Sequence, residues 1–105
     1  MTQGRDERDV QIAVGGIALP GALGRPAGAR GMVLFAHGSG SSRLSPRNRA
    51  VAGVLRDGGI GTLLFDLLTP EEDQSYANRF AIDRLTARLV AVTRWLRRQP
   101  GLDAL

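Results

Sequence analysis

The sequence predicts an α/β fold in which an N-terminal β-hairpin is followed by parallel β-α-β-α units. Three observations predict it. Apolar residues alternate on both sides of a Gly-Gly pair near the N-terminus, two later runs are continuously apolar, and each run precedes a segment with apolar residues at helical spacing. Alternating strands and helices are typical of a parallel sheet with right-handed crossovers. A chain of 105 residues is long enough for one domain and too short for two.

The hairpin is predicted to follow residues 1–8, which we expect to be a charged, disordered tail. From Val10 to Val14 apolar residues alternate with polar or small ones, which is the period of a half-buried strand. Gly15-Gly16 favours a tight turn because glycine adopts positive φ at both central positions. Ile17 to Leu23 would form the returning strand, in which Pro20 removes a backbone donor and favours an edge position or a bulge.

The first parallel unit begins with Met32–Ala36, an apolar run of the kind that forms a strand buried on both faces. A loop of small residues follows, and Ser45-Pro46 then predicts a helix start with serine as the N-cap. Asp57-Gly58-Gly59 predicts the end of that helix. Its apolar residues recur at helical spacing and should face the sheet: Ala50, Val51, Val54 and Leu55.

The second unit begins with Thr62–Phe65, another short apolar run. A long acidic loop is expected from Leu67 to Asn78, and a helix from about Arg79 to the stop at Pro100-Gly101. One stripe of this helix should face the core: Ile82, Leu85, Leu89, Val92 and Leu96. Most of the helix arginines and Trp95 are expected on the opposite side, where Trp95 could pack under a neighbouring element or at a subunit interface.

Composition excludes several classes of site. There is no cysteine and one histidine, so disulfides, thiolate metal sites and sites that need two imidazoles are excluded. The formal net charge is +4, but the arginines are scattered and there is one tyrosine and one tryptophan, so we expect no nucleic-acid binding. The charged N-terminus is unlike a secretory signal, and the apolar runs are too short to span a bilayer. A cytoplasmic protein without membrane contact, metal or cofactor is expected.

The segment with the clearest chemical meaning runs from Val33 to Arg43, where an apolar strand enters a glycine- and serine-rich loop that leads to a helix. Such a loop lies at the carboxyl end of a parallel strand, where ligands bind in open α/β sheets. Glycine allows the backbone to approach a ligand closely, and free N–H groups there could hold negative charge. The loop is therefore the candidate functional site.

The chain resembles the α/β-hydrolase family, most closely its dienelactone-hydrolase-like members, over roughly residues 10–105. The resemblance depends on the hairpin, the strand that ends in His37-Gly38, the strand that ends in Phe65-Asp66, and the order of the elements. It implies hydrolysis of an ester, lactone or similar acyl bond of a small molecule. It also implies that the loop after the third strand supplies one backbone N–H of the oxyanion hole.

Carried onto this sequence, the resemblance makes Ser39 the best candidate for that N–H. The oxyanion loop would consist of His37, Gly38, Ser39 and Gly40, and Ser41, Ser42 and Arg43 are candidates for substrate contact. The family nucleophile, however, stands in a G-x-S-x-G turn, followed by an acid and a histidine. No such turn occurs here, and no histidine follows His37. We therefore expect residues 9–105 to be the N-terminal half of a hydrolase domain, truncated, with no complete catalytic set and negligible activity alone.

Several residues have two interpretations. His37 could be a base, but a base needs an adjacent nucleophile, so a structural ring that fixes the loop is favoured. Asp66 precedes any nucleophile, so anchoring the loop is favoured over a role as triad acid. The arginines after the loop could clamp an anion or lie solvated on a first helical turn, and solvation is favoured: Arg43, Arg47 and Arg49. The acids of the long loop could bind a metal but are more commonly only solvated: Glu71, Glu72 and Asp73.

Two further functions remain open. A noncatalytic α/β module could associate with a partner chain or with a second copy through an exposed sheet edge. Alternatively, the Gly-Ser loop could bind phosphate, but the chain lacks the G-x-x-x-x-G-K-[ST] pattern and has no lysine, which disfavours that function.

Overall fold

The structure is a computed structural model that describes residues 7–37, 43–74, 81–100 and 102. Its four strands are β1 (Glu7–Val14), β2 (Ile17–Gly24), β3 (Met32–His37) and β4 (Gly61–Asp66). Its three helices are α1 (Pro46–Asp57), α2 (Pro70–Asp73) and α3 (Ile82–Arg97). The strands form one sheet in the order β1-β2-β4-β3. β3 and β4 are parallel, and β2 is antiparallel to both β1 and β4, so the predicted α/β class and element order are confirmed.

The N-terminal hairpin forms as predicted around Gly15-Gly16. Val14 pairs with Ile17 across the turn, and both glycines have positive φ, at 53° and 83°. Pro20 lies in the part of β2 that has only β1 beside it, since pairing with β4 begins at Gly21, so the missing N–H breaks no ladder between β2 and β4. β1 begins at Glu7, so the last two residues of the expected tail, 7 and 8, belong to the strand.

The helix boundaries confirm the cap signals and add one helix. Ser45 caps α1 and accepts a hydrogen bond from the backbone N–H of Asn48, and the helix ends before Gly58. The expected long loop contains a four-residue helix, α2, which begins with a capping box in which Thr69 and Glu72 bond each other's backbone. The prediction of an unbroken loop there was wrong, because Thr-x-x-Glu with a proline at the first helical position is itself a start signal.

The core lies between the sheet and α3, and the predicted stripe of α3 is only partly correct. Val92 and Leu96 are buried as predicted, but Ile82 and Leu89 are 66% and 39% exposed. Trp95 packs against the core, contrary to the expectation that it faces away. Arg88 also lies toward the sheet, where it bonds the Leu67 carbonyl just beyond the end of β4. The other principal core residues are Val10, Ile12, Leu19, Leu23, Leu63 and Phe65.

The predicted sheet-facing side of α1 was wrong. Its buried residues are Ala52, Gly53 and Arg56, whereas Val51 and Val54 are 46% and 69% exposed. The small residues allow the helix to approach the sheet, and the Arg56 guanidinium is hydrogen-bonded to Glu7 and Thr62. Consecutive strand residues face opposite sides, and Thr62 contacts α1 while Leu63 belongs to the α3 core, so the two helices cover opposite faces.

The prediction that both parallel strands are buried on both faces is correct for β4 and wrong for β3. Residues 61–65 of β4 are all buried. In β3, by contrast, Val33 and Ala36 are exposed. The difference follows from the sheet order: β4 lies between β2 and β3, and β3 has a neighbouring strand on one side only within the described part of the chain.

Candidate active site

The candidate site lies where the two parallel strands end. His37 closes β3 and Asp66 closes β4, and the two residues are partners in the parallel register. The predicted loop residues 38–42, which include Gly38, Ser39, Gly40, Ser41 and Ser42, lie outside the described residues. What the structure gives is the geometry of the two ends of that loop, at His37 and Arg43.

The His37 ring joins three elements. The residue is 4% exposed. Its Nδ1 lies 3.1 Å from the Phe65 carbonyl oxygen of β4, and its Nε2 lies 2.9 Å from the amide nitrogen of Asn48 in α1. Since a carbonyl only accepts, Nδ1 carries the proton, and in the neutral ring Nε2 accepts from the Asn48 amide. Both ring nitrogens are thus occupied, which favours the structural role of His37 over that of a base.

The backbone of His37 is held as well. Its carbonyl accepts a hydrogen bond from the backbone N–H of Leu67 at 2.9 Å, just beyond the end of β4. The first end of the loop is therefore tied to β4 by the ring and by the main chain.

Asp66 ties the second end of the loop. One carboxylate oxygen accepts from the backbone N–H of Arg43 at 2.8 Å, and the other accepts from Nη1 of the same arginine at 2.9 Å. Asp66 therefore makes the anchoring contacts expected of it. Arg43, a candidate for substrate contact, directs its guanidinium to this carboxylate. Both ends of the loop are consequently fixed to the end of one buried strand.

The other arginines after the loop do not converge on the site. Arg47 is exposed on α1. Arg49 forms an ion pair of 3.2 Å with Glu7 at the start of β1, so it belongs to the opposite end of the sheet. A joint anion clamp by the three arginines therefore has no support in these contacts.

The acidic segment after β4 is held to α3 by an ion pair between Glu72 and Arg88. Glu72 caps α2 and binds Arg88 of α3 through both carboxylate oxygens, and the same guanidinium bonds the Leu67 carbonyl at 3.0 Å. The hydrogen bond from Arg88 outweighs burial and, with the Thr69 N–H, lowers the pKa of Glu72 from 4.5 to about 2. Glu71 is exposed, and the side chain of Asp73 lies outside what the structure describes.

Sequence reasoning missed Asn48, which completes the hydrogen bonding of the buried ring. The available signal was its position: three residues after the Ser45 cap, a polar side chain faces back along the helix toward the strand that precedes it. An asparagine in a first helical turn is common on a solvated surface, so its position in the sequence does not by itself predict a contact with the ring.

Comparison with solved structures gives a close match. The crystal structure of a dienelactone hydrolase from Anabaena variabilis superposes with a TM-score of 0.84 at 51% identity, covering 94% of this chain and 48% of that one. In sequence and in fold the chain is similar to about half of a dienelactone hydrolase. Est1E from Butyrivibrio proteoclasticus superposes with a TM-score of 0.70 at 18% identity. The match covers 86% of the present chain and 35% of Est1E, and it supports the shared fold only.

Curated relatives of the dienelactone-hydrolase-like chain are two proteins from strains of Mycobacterium tuberculosis, provisionally named as phosphoribosyl transferases. Each is 54% identical over 101 residues, which is 96% of this chain. The chain spans about a quarter, 23%, of the length of these relatives. No family model matches the sequence. Within the described residues, no helix is both long and apolar enough to cross a membrane.

Proposed function

We propose that this chain supplies the oxyanion-hole loop of a hydrolase that acts on ester or lactone bonds of small molecules. The observation that carries the proposal is the double anchoring of the loop at the carboxyl ends of parallel strands, through His37 at one end and the Asp66–Arg43 pair at the other. A donor aimed at developing negative charge is most effective when it is held in place before the reaction begins. The match to a dienelactone hydrolase supports the same substrate class.

In this proposal the reaction is acyl transfer. A serine or cysteine nucleophile from another part of the fold attacks the acyl carbon, and the carbonyl oxygen becomes an oxyanion. The Ser39 N–H donates to that oxyanion, together with the N–H that follows the nucleophile. This chain supplies the first donor and has no G-x-S-x-G turn, so on its own it should hydrolyse a p-nitrophenyl ester no faster than its His37→Ala variant.

The proposal is tested by grafting this chain onto the Anabaena enzyme in place of the matching half. Ser39→Pro removes the backbone N–H, together with the hydroxyl and the freedom of φ, and should lower kcat about a hundredfold to a thousandfold, the loss typical of one oxyanion donor. Ser39→Ala keeps the N–H and should retain kcat. A folded chimera in which Ser39→Pro keeps the kcat of Ser39→Ala would show that the loop holds no oxyanion.

A second candidate function is association through the edge of β3. That edge pairs with no strand in the described part of the chain, and apolar side chains flank it. On the α1 side Val33 and Val54 are exposed. On the α3 side lies a cavity of about 120 Å³, lined by Met32, Leu34, Thr93, Leu96, Arg97 and Leu102. An unpaired apolar edge is a template for a strand of another chain or of a second copy.

A further inference from the structure

Asn48 occupies a position that links the two parts of the candidate site. Its backbone N–H donates a hydrogen bond to the Ser45 Oγ at 3.4 Å, so Asn48 lies in the first turn of α1. From there its amide nitrogen lies 2.9 Å from Nε2 of His37, the residue at which β3 ends. The side chain thus spans from the helix that follows the loop to the strand that precedes it.

For the neutral ring, hydrogen-bond chemistry leaves one arrangement for this contact. The Phe65 carbonyl requires a proton on Nδ1, and the neutral ring then presents a lone pair at Nε2. The amide of Asn48 can turn either its NH₂ or its oxygen toward the ring, but only the NH₂ satisfies a lone pair. His37 is 4% exposed, so an unpaired Nε2 would bear the cost of a buried polar atom without a partner.

We propose that Asn48 is a positioning residue that holds the ring of His37, the residue at which β3 ends. By donating to Nε2 it holds the His37 ring as the Nδ1–H tautomer, and so fixes the bond to Phe65 that anchors the first end of the loop. The Asp66–Arg43 pair fixes the second end independently. The assignment deepens the proposed function and rests on it, because in that function His37 begins the loop that would supply the oxyanion donor.

Nitrogen NMR of the full chain tests the assignment directly, since His37 is the one histidine of the sequence and its ring signals are unambiguous. The wild-type ring should show one protonated and one unprotonated nitrogen, with a scalar coupling between Asn48 Nδ2 and His37 Nε2 across the hydrogen bond. Asn48→Ala should abolish this coupling and move the Nε2 signal toward that of an acceptor without a donor. Arg47→Ala, at the neighbouring exposed position of α1, should change neither signal.

A second variant separates positioning from general support of the helix. In Asn48→Asp the carboxylate only accepts, so a hydrogen bond to the ring requires a proton on Nε2, and the Nε2 signal should move toward that of a protonated nitrogen. A wild-type ring with the Nε2–H tautomer, or without the coupling, would overturn the assignment. So would an Asn48→Asp ring identical to that of the wild type. These two measurements decide the matter even if Asn48→Ala fails to fold.

The NMR result does not depend on hydrolase activity, so the two proposals fail separately. If the coupling is found but Ser39→Pro leaves kcat unchanged in the chimera, the hydrolase role falls and Asn48 is a structural residue. If Ser39→Pro behaves as an oxyanion variant but the coupling is missing, the proposed function stands and another residue positions the loop.

Discussion

At the scale of single residues, charged side chains in this molecule act as ties between elements. Arg88 joins the segment after β4 to α3 by bonding the Leu67 carbonyl and both oxygens of Glu72. Asp66 likewise joins β4 to the chain that enters α1. Both carboxylates lie at the carboxyl edge of the sheet, which is also the edge of the candidate site. The ties thus join the described segments that surround the candidate site.

Acid should loosen the tie at Glu72. Its pKa in the folded protein, about 2, is lower than the ordinary 4.5, so the unfolded chain binds its proton first as the pH falls. The stabilisation is fully present above pH 4.5 and is lost as the pH falls toward 2, and the shift corresponds to an upper value of roughly 3 kcal/mol. Urea unfolding across this pH range should show a steeper loss of stability for wild type than for Glu72→Gln. Parallel curves for the two proteins would contradict the prediction.

At the scale of elements, hydrophobic period predicted where strands and helices lie better than which side of a helix is covered. The hairpin and the α1 start were predictable because glycine pairs and Ser-Pro are local signals. The buried face of α1 was not, because its centre is a charged residue: Arg56 is 4% exposed and is paired with Glu7, forty-nine residues away. No local pattern predicts a partner at that separation. The Arg56–Glu7 pair therefore determines which side of α1 is buried, and the spacing of the apolar residues in the helix does not.

The close approach of α1 to the sheet depends on Gly24 in β2. A Cβ there would collide with the side-chain stem of Arg56 and would lie 2.9 Å from the Thr62 hydroxyl. Because Arg56 is held by Glu7 and Thr62, it cannot move aside without losing hydrogen bonds, and Gly24→Ala should destabilise the fold by about 1–3 kcal/mol. Gly31→Ala is the matched control, since nothing lies within 4 Å of a Cβ there. Urea unfolding of both variants measures the difference, and equal stabilities would show that α1 can shift at no cost.

At the scale of the whole molecule, the order of elements was sufficient to predict a parallel β3–β4 pair. It did not predict the exposure of β3, because an apolar run shows what a strand is suited to and not how many neighbours it has. The loop that carries the proposed chemistry was found from its composition, whereas its anchors were found only in part. Asp66 was recognisable as the last residue of a strand, and Asn48 became meaningful only when folding brought it to His37.

The uncovered edge of β3 should make the chain associate with itself. Val33 lies on this strand and faces the α1 side, because it is the register partner of Thr62, and Val54 of α1 is 69% exposed. Val33→Lys combined with Val54→Lys places charge on the edge and beside it, which opposes strand addition. Sedimentation velocity over a wide range of concentration should show association of the wild type and a monomer for the double variant. Ile82→Lys, an exposed apolar position on α3 at the other face, should associate as the wild type does. A wild type that stays monomeric throughout would mean that the edge alone does not recruit a second copy.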